Sequence, residues 1–404
     1  MFTPKLTPPA TAAFASRSPL TMRCHMSERK LRSWVAAGLI DAETAARIGE
    51  YEAANSRPLG LWAAIAIGAL AIGLGIISVI AANWEDVPGL VRLSIHFALM
   101  AGLGGYIALR GDVLARDQGW WLEAALFIIG LLGMTFFGHI GQVYQTNSAL
   151  WQPLAAWLAL FAPLLLMRGQ SWLVAALVMG TAIYACWDYA LQFDSWRHRG
   201  PTPHWAWISA VMAMPVLAAP FAAAMRGRSN RPVFWKRVEQ IALAYGVGGA
   251  SLVIIAAGVD DFDEQIMSLA SQSVRAAIAC VAGLLVVFAR RGISGLMSGA
   301  ILAGAGVISF LAFPIAGSDL MGGVLFMVLW TGIAFAALQA GWRGVFQLAV
   351  GVIALRLIVL SFELASDLLT SGFGLILAGL MILGVAWVAV RISREYAPPR
   401  EEAA

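Results

Sequence analysis

The chain has 404 residues, of which 60% are apolar and only 12% are charged, and its formal net charge is +4. Soluble domains carry roughly 25% charged residues, and a water-soluble protein of this length could not bury so much apolar surface in one core. The few cations are scattered between apolar stretches, which argues against nucleic-acid binding. The composition excludes an ordinary soluble protein and indicates a membrane protein.

The N-terminal part is predicted to lie outside the membrane. Residues 1–26 contain four prolines and no acidic residue, so we expect a disordered extension, with translation starting at Met22 or Met26. Residues 27–57 predict a cytosolic amphipathic helical hairpin, in which Gly38 ends one helix and Asp41 caps the next. Its exposed charges are of both signs, so packing or partner binding is favoured over DNA binding.

Apolar runs of about 20 residues predict an all-α polytopic membrane protein, because a membrane barrel would show alternating segments of about ten residues. We predict about 12 transmembrane helices in a transmembrane domain of residues 58–391, followed by a cytosolic tail of residues 392–404. The predicted spans are 59–82, 89–109, 120–143, 150–167, 171–190, 205–225, 240–258, 274–289, 293–313, 320–340, 344–363 and 370–390.

Lysine and arginine alternate between the loops in the manner of the positive-inside rule. With the N-terminus in the cytoplasm, the inner segments hold clusters such as 226–237 and 290–291, whereas the outer loops hold mainly acidic residues, as in 260–264. This predicts a bacterial cytoplasmic (inner) membrane protein with both termini cytoplasmic. Residues 68–110 and 246–290 each contain an apolar helix, an acidic loop and an arginine that enters the next helix, in that order. This suggests a 6+6 parallel repeat, although unrelated hydrophobic helices often show such similarity.

Ionisable residues within apolar runs are costly and therefore informative. Arg356 lies about 18 Å along its predicted helix, past the membrane midplane, and Glu363 follows two turns later. The pair can act as a clamp for a small anionic ligand or as a salt bridge that fixes helix packing, and the sequence leaves both open.

A second polar group lies in the outer third of the third predicted span. His139 and Gln142 share a helix face there, Tyr144 is close to that face, and His96 lies in the outer half of the preceding span. The two histidines could shuttle protons, although a buried histidine is more often a satisfied hydrogen-bonding residue. Asn83 at the outer end of the first span, Arg356 and Glu363 also project to the outer half, so convergence of these helices would form an outward-facing polar vestibule. Trp84, next to Asn83, is expected to anchor at the lipid headgroups.

Other chemistry has little support. Cys24, Cys186 and Cys280 show no metal-binding or disulfide spacing, and no nucleophile elbow, phosphate-binding loop or zinc-protease motif is present. We therefore predict no catalytic residues, no metal, no cofactor and no enzyme activity. The expected partners are the lipid bilayer, a small anionic ligand and a cytosolic protein at the hairpin, but no nucleic acid.

Several segments resemble a known family. These are LRSWVAAGLIDAETAARIGEYE, the AANW sequence followed by a proline, GQVYQ, and ALRLIVLSF followed by Asp367. Together they are similar to the bacterial domain-of-unknown-function 2157 membrane family over most of residues 27–390. The resemblance implies a cytoplasmic-membrane protein without an assigned reaction. Asn83, Trp84, Gln142, Tyr144 and Arg356 lie at the matching motif positions.

We therefore predict a transporter-like or channel-like protein with a polar site in the outer half of the membrane. The alternative is a non-transporting scaffold or sensor that binds a partner through its N-terminal hairpin and uses its polar residues only to lock helices together.

Overall fold

The structure is a computed structural model of the full chain. It describes residues 33–55, 86–117, 119–197, 204–257, 268–313, 319–364 and 372–396, together with Leu31 and some isolated positions between 64 and 78. The chain divides into two compact units, residues 1–87 and residues 88–404.

The first unit contains helix α1 (Ala42–Asn55). Its N-terminus is capped as the sequence predicts, because the Thr44 amide donates a 2.9 Å hydrogen bond to Asp41 Oδ1. Gly38 takes a positive φ of 69° after the preceding helical turn, a conformation that glycine adopts without a Cβ penalty. The pairing of two helices as a hairpin stays a prediction. The described positions between 64 and 78, within the predicted first span, are helical.

The second unit is built from helices throughout its described residues. They are α2 (Gly89–Asp117), α3 (Gly119–Tyr144), α4 (Trp151–Arg168), α5 (Trp172–Arg197), α6 (His204–Ala213), α7 (Ala218–Arg228), α8 (Pro232–Ala257), α9 (Leu269–Ala289), α10 (Ile293–Leu311), α11 (Asp319–Gln339), α12 (Arg343–Leu364) and α13 (Gly372–Glu395). Within the described ranges, ten segments are long and apolar enough to cross a membrane, one of them being Trp205–Arg228, which combines α6 and α7. The total of 12 spans and the 6+6 repeat stay predictions.

One span differs in form from its prediction. The span predicted at 205–225 is interrupted by a 3₁₀ turn, Met214–Leu217, which separates α6 from α7. Pro215 causes the interruption because it has no amide hydrogen and its ring clashes with the preceding turn of an α-helix. Neighbouring helices enclose the turn, since Pro215 and Val216 are both buried.

Two apolar cores meet at helices α8 and α10. The first core joins helices α2 to α5 with α7, α8, α9 and α10, and Trp157, Leu165 and Phe234 lie at its centre. The second joins α8 with α10, α11 and α12 around Ile254 and Ala337. Large apolar side chains cover the outside of most helices, as expected for a surface in contact with lipid.

Among the described helices, α9 and α10 make the most extensive contact, backbone against backbone. A Cβ atom added at Gly283 would lie 2.5 Å from the carbonyl oxygen of Gly299, and one added at Gly306 would lie 3.0 Å from the carbonyl oxygen of Ala276. Small residues at such spacing let membrane helices approach closely, and dispersion contacts then hold them together.

Candidate functional site

The structure brings two of the predicted site residues into direct contact. His96 on α2 and His139 on α3 place their Nδ1 atoms 2.8 Å apart, with the rings at 88° to each other. The Nε2 atom of His96 lies 2.9 Å from the carbonyl oxygen of Leu132. His96 is only 7% exposed, and the edge of its ring also contacts Phe136.

These contacts fix the tautomers of the two imidazole rings. A carbonyl oxygen can only accept, so Nε2 of His96 must carry a hydrogen and Nδ1 of neutral His96 is the acceptor. His139 therefore donates from Nδ1, and its Nε2 carries no hydrogen while the pair is neutral. One proton added at that nitrogen preserves the hydrogen bond between the two rings. A second proton, on His96 Nδ1, would set two N–H groups against each other and place two cations side by side, so the geometry of the pair fits one added proton better than two.

One further charge acts on this pair. The guanidinium of Arg92, one helical turn before His96 on α2, interacts electrostatically with His139. Both Arg92 and His139 take part in additional polar contacts.

The other predicted site residues are placed as follows. Gln142 and Tyr144 lie at the end of α3 beyond the pair, and both are exposed. Arg356 is half-buried in α12, a helix that packs mainly on α11 and α13, whereas α2 packs mainly on α3. Arg356 thus belongs to a different group of helices from the histidines. Asn83, Trp84 and the side chain of Glu363 lie outside the described residues.

A second polar site, which the sequence analysis missed, lies at the interruption between α6 and α7. Tyr245 on α8 donates its hydroxyl hydrogen to the carbonyl oxygen of Met212 at 2.5 Å. The same hydroxyl oxygen accepts a 2.8 Å hydrogen bond from the indole nitrogen of Trp187 on α5. A helix broken inside a membrane leaves backbone carbonyls that need new donors, and Tyr245 supplies one. The proline inside a predicted span was the available signal.

A third polar site is a buried carboxylate at one end of the bundle. This end contains the connections 169–171, 229–231 and 290–292 and is here called the basic end. Glu239 on α8 is 2% exposed. Its two oxygens accept hydrogen bonds from Arg226 at 2.6 Å and from Arg290 at 3.1 Å, which links α7, α8 and the end of α9. Burial lowers the pKa of Arg290, and the Glu239 carboxylate partly opposes that effect.

Neighbouring charges at the basic end satisfy exposed backbone groups. Arg231 donates to the carbonyl oxygens of Leu166 and Gly169, both at 2.6 Å, and so caps the end of α4. Burial lowers the pKa of Arg231, with Glu123 nearby acting in the opposite direction. The Glu123 carboxylate in turn accepts the amide hydrogens of Gln170 and Ser171 before α5, where the helix dipole favours an anion.

Within the described part of the chain, no group of three or more histidine, cysteine, aspartate or glutamate side chains could hold a metal ion.

Comparison with known proteins supports the membrane assignment. The model of a family described as predicted membrane proteins (DUF2157) matches residues 32–174. This match confirms the resemblance predicted from the sequence and covers α1 to α4, including the His96–His139 pair. The chain matches no curated protein and no solved structure.

Proposed function

We propose that this multi-pass membrane protein, whose residues 32–174 match a family of predicted membrane proteins, is transporter-like or channel-like and binds a proton at its His96–His139 pair. The observation that carries the proposal is the 2.8 Å contact between the two Nδ1 atoms. Histidine changes charge near neutral pH, so two imidazole rings in direct contact on neighbouring helices are suited to taking up and releasing one proton.

Two further features support movement of a solute. The interruption between α6 and α7 resembles the discontinuous helices from which many transporters build their binding sites. Arg356 supplies a cation within an apolar helix, and such residues commonly mark pathways for anions. We therefore include a small anion as the candidate solute.

The basic end is proposed to face the cytoplasm, with both termini on that side. Arg226, Arg231 and Arg290 lie there, and the positive-inside rule favours this orientation. In a background without Cys24, Cys186 and Cys280, single cysteines at Asn230 and Ser148 should react with a membrane-impermeant maleimide from opposite sides. Labelling of both from the same side would overturn the topology.

The functional test is proton movement into proteoliposomes that contain a pH-sensitive dye. With a potassium diffusion potential, and with a panel of small anions outside, wild type should acidify the lumen several-fold faster than His139→Gln. Ile128→Ala, which changes an exposed residue of the same helix outside the predicted polar site, should behave like wild type. Equal rates for wild type and His139→Gln under every condition would reject the proposal.

The N-terminal unit favours a second function, that of a scaffold or sensor. Trp34 and Leu39 are 43% and 72% exposed, and large apolar residues on a surface outside the membrane often mark a binding site. In that case a photo-reactive side chain at position 39 should cross-link a cytosolic protein. Deletion of residues 27–57 should abolish the scaffold or sensor activity, whereas His139→Gln should leave that activity intact.

A further inference from the structure

An open cavity of about 460 Å³ lies at the basic end. It is bounded by the start of α3, by the connection between α4 and α5, and by the first turns of α8. Three of its lining side chains are charged, namely Glu123, Arg231 and Arg237. Two positive charges against one negative charge make the lining cationic.

The hydrogen bonds in the wall strengthen this cationic character. Both oxygens of Glu123 are used by backbone amides, at 2.6 and 2.8 Å, so this carboxylate is already engaged. The two guanidinium groups donate to neutral carbonyl oxygens, Arg231 to those of Leu166 and Gly169 and Arg237 to that of Gln170. These bonds do not neutralise the guanidinium charges, because a carbonyl carries only a partial charge. The Glu123 carboxylate offsets part of the charge of Arg231, so the lining keeps a net positive charge.

The cavity also has an apolar wall. Val233 in the first turn of α8 forms this wall and is 60% exposed. The buried ring of Phe234 lies under the Arg231 guanidinium, at 5.4 Å from the ring centroid, and supports that side chain. A soluble phosphate would gain nothing from this wall. A phospholipid offers a phosphate at the membrane surface and a hydrocarbon chain beside it, and so matches both halves of the lining.

We propose that this cavity binds the headgroup of an anionic phospholipid from the leaflet at the basic end. Arg237 and the exposed amide of Asn230 contact the phosphate, while Arg231 contributes charge and keeps the end of α4 in place. Basic pockets between membrane helices are known to hold acidic lipid headgroups in this way. The exposed Lys236 next to Arg237 adds to the attraction.

The test is native mass spectrometry of the full-length protein after incubation with phosphatidylglycerol or phosphatidylcholine in detergent. Wild type should retain phosphatidylglycerol in clear preference to phosphatidylcholine. Arg237→Gln should reduce retained phosphatidylglycerol about fivefold, as expected for the loss of one basic residue at an anionic membrane surface. Arg237→Lys should keep most of the binding, and Arg291→Gln, which removes an exposed cation at the same end but outside the cavity, should match wild type.

Three results would overturn the proposal. They are equal retention of the two lipids by wild type, equal loss in Arg237→Gln and Arg291→Gln, and displacement of phosphatidylglycerol by millimolar inorganic phosphate, which would identify a site for a soluble anion. If Arg237→Gln folds poorly, the comparison of wild type with Arg237→Lys and the lipid preference of wild type still decide the question. None of these measurements depends on proton movement through the histidine pair.

Discussion

Replacement of Glu239 by glutamine should destabilise the helical bundle strongly. The carboxylate is 2% exposed and lies between Arg226 and Arg290, at 2.6 and 3.1 Å. A glutamine keeps the size of the side chain, but it removes the negative charge and turns an N–H group towards one of the two guanidiniums. Removal of one partner from a buried ion pair typically costs about 3–5 kcal/mol. Because the two arginine side chains are 20% and 22% exposed, water can hydrate part of the charge left behind, so we expect about 3 kcal/mol.

The free energy of unfolding would be measured by SDS titration in mixed micelles at one detergent composition. The matched control is Glu395→Gln, which removes an ion pair with Arg391 whose side chains are 64% and 54% exposed, and which should cost less than about 0.5 kcal/mol. If Glu239→Gln changes the free energy of unfolding no more than this control does, the buried triad does not hold α7, α8 and α9 together and the reasoning fails.

Three further predictions concern packing, hydrogen bonding and pH. Gly283→Ala should destabilise by roughly 1–3 kcal/mol, because its Cβ would meet a backbone oxygen of α10, whereas Gly304→Ala, with open space at its Cβ, should be neutral or slightly stabilising in the same titration. Tyr245→Phe should cost roughly 1–3 kcal/mol through the loss of two hydrogen bonds, and Tyr184→Phe, an exposed position, almost nothing. The hydrogen bonds at Asp41 lower its pKa from the ordinary value of 3.8. The helix cap that Asp41 forms is therefore fully present above pH 3.8 and is lost as the pH falls through the lower folded-state pKa. This loss should appear as faster hydrogen exchange of the amides in the first turn of α1. Unchanged protection of these amides across that pH range would contradict the prediction.

Hydropathy predicts the membrane helices of this chain well, and it is weakest where charges enter a helix. The helix predicted from residue 240 in fact begins at Pro232. The prediction started too late because Lys236, Arg237 and Glu239 in the first two turns lower the mean hydropathy there. These charges are tolerated because they pair or lie at the membrane surface. The helix predicted from residue 274 begins at Leu269, so Arg275 lies more than a turn inside α9. Ser268 caps that helix one turn earlier than the apolar run suggests.

The candidate sites show what a single sequence cannot reveal. It places His96 and His139 separately in the outer half of the membrane, but their contact depends on which helices are neighbours, and periodicity contains no such information. For the same reason the sequence groups Arg356 with the histidines, although α12 packs in a different part of the bundle. Glu239 could have been noticed, since an isolated acidic residue among arginines at a helix end often indicates a buried ion pair.

The contact between α9 and α10 has a mechanical consequence. At Gly283 and Gly299 the two helices touch through their backbones, and the small side chains of Val287 and Ala303 pack beside this contact, so sliding of one helix along the other would break close backbone packing. The two helices should therefore move as a single rod in any conformational cycle. Bending is then left to the 3₁₀ turn at Met214–Leu217, where hydrogen bonding between successive turns is already interrupted. If the protein moves a solute as proposed, the path would run beside the α9–α10 rod and not between its two helices.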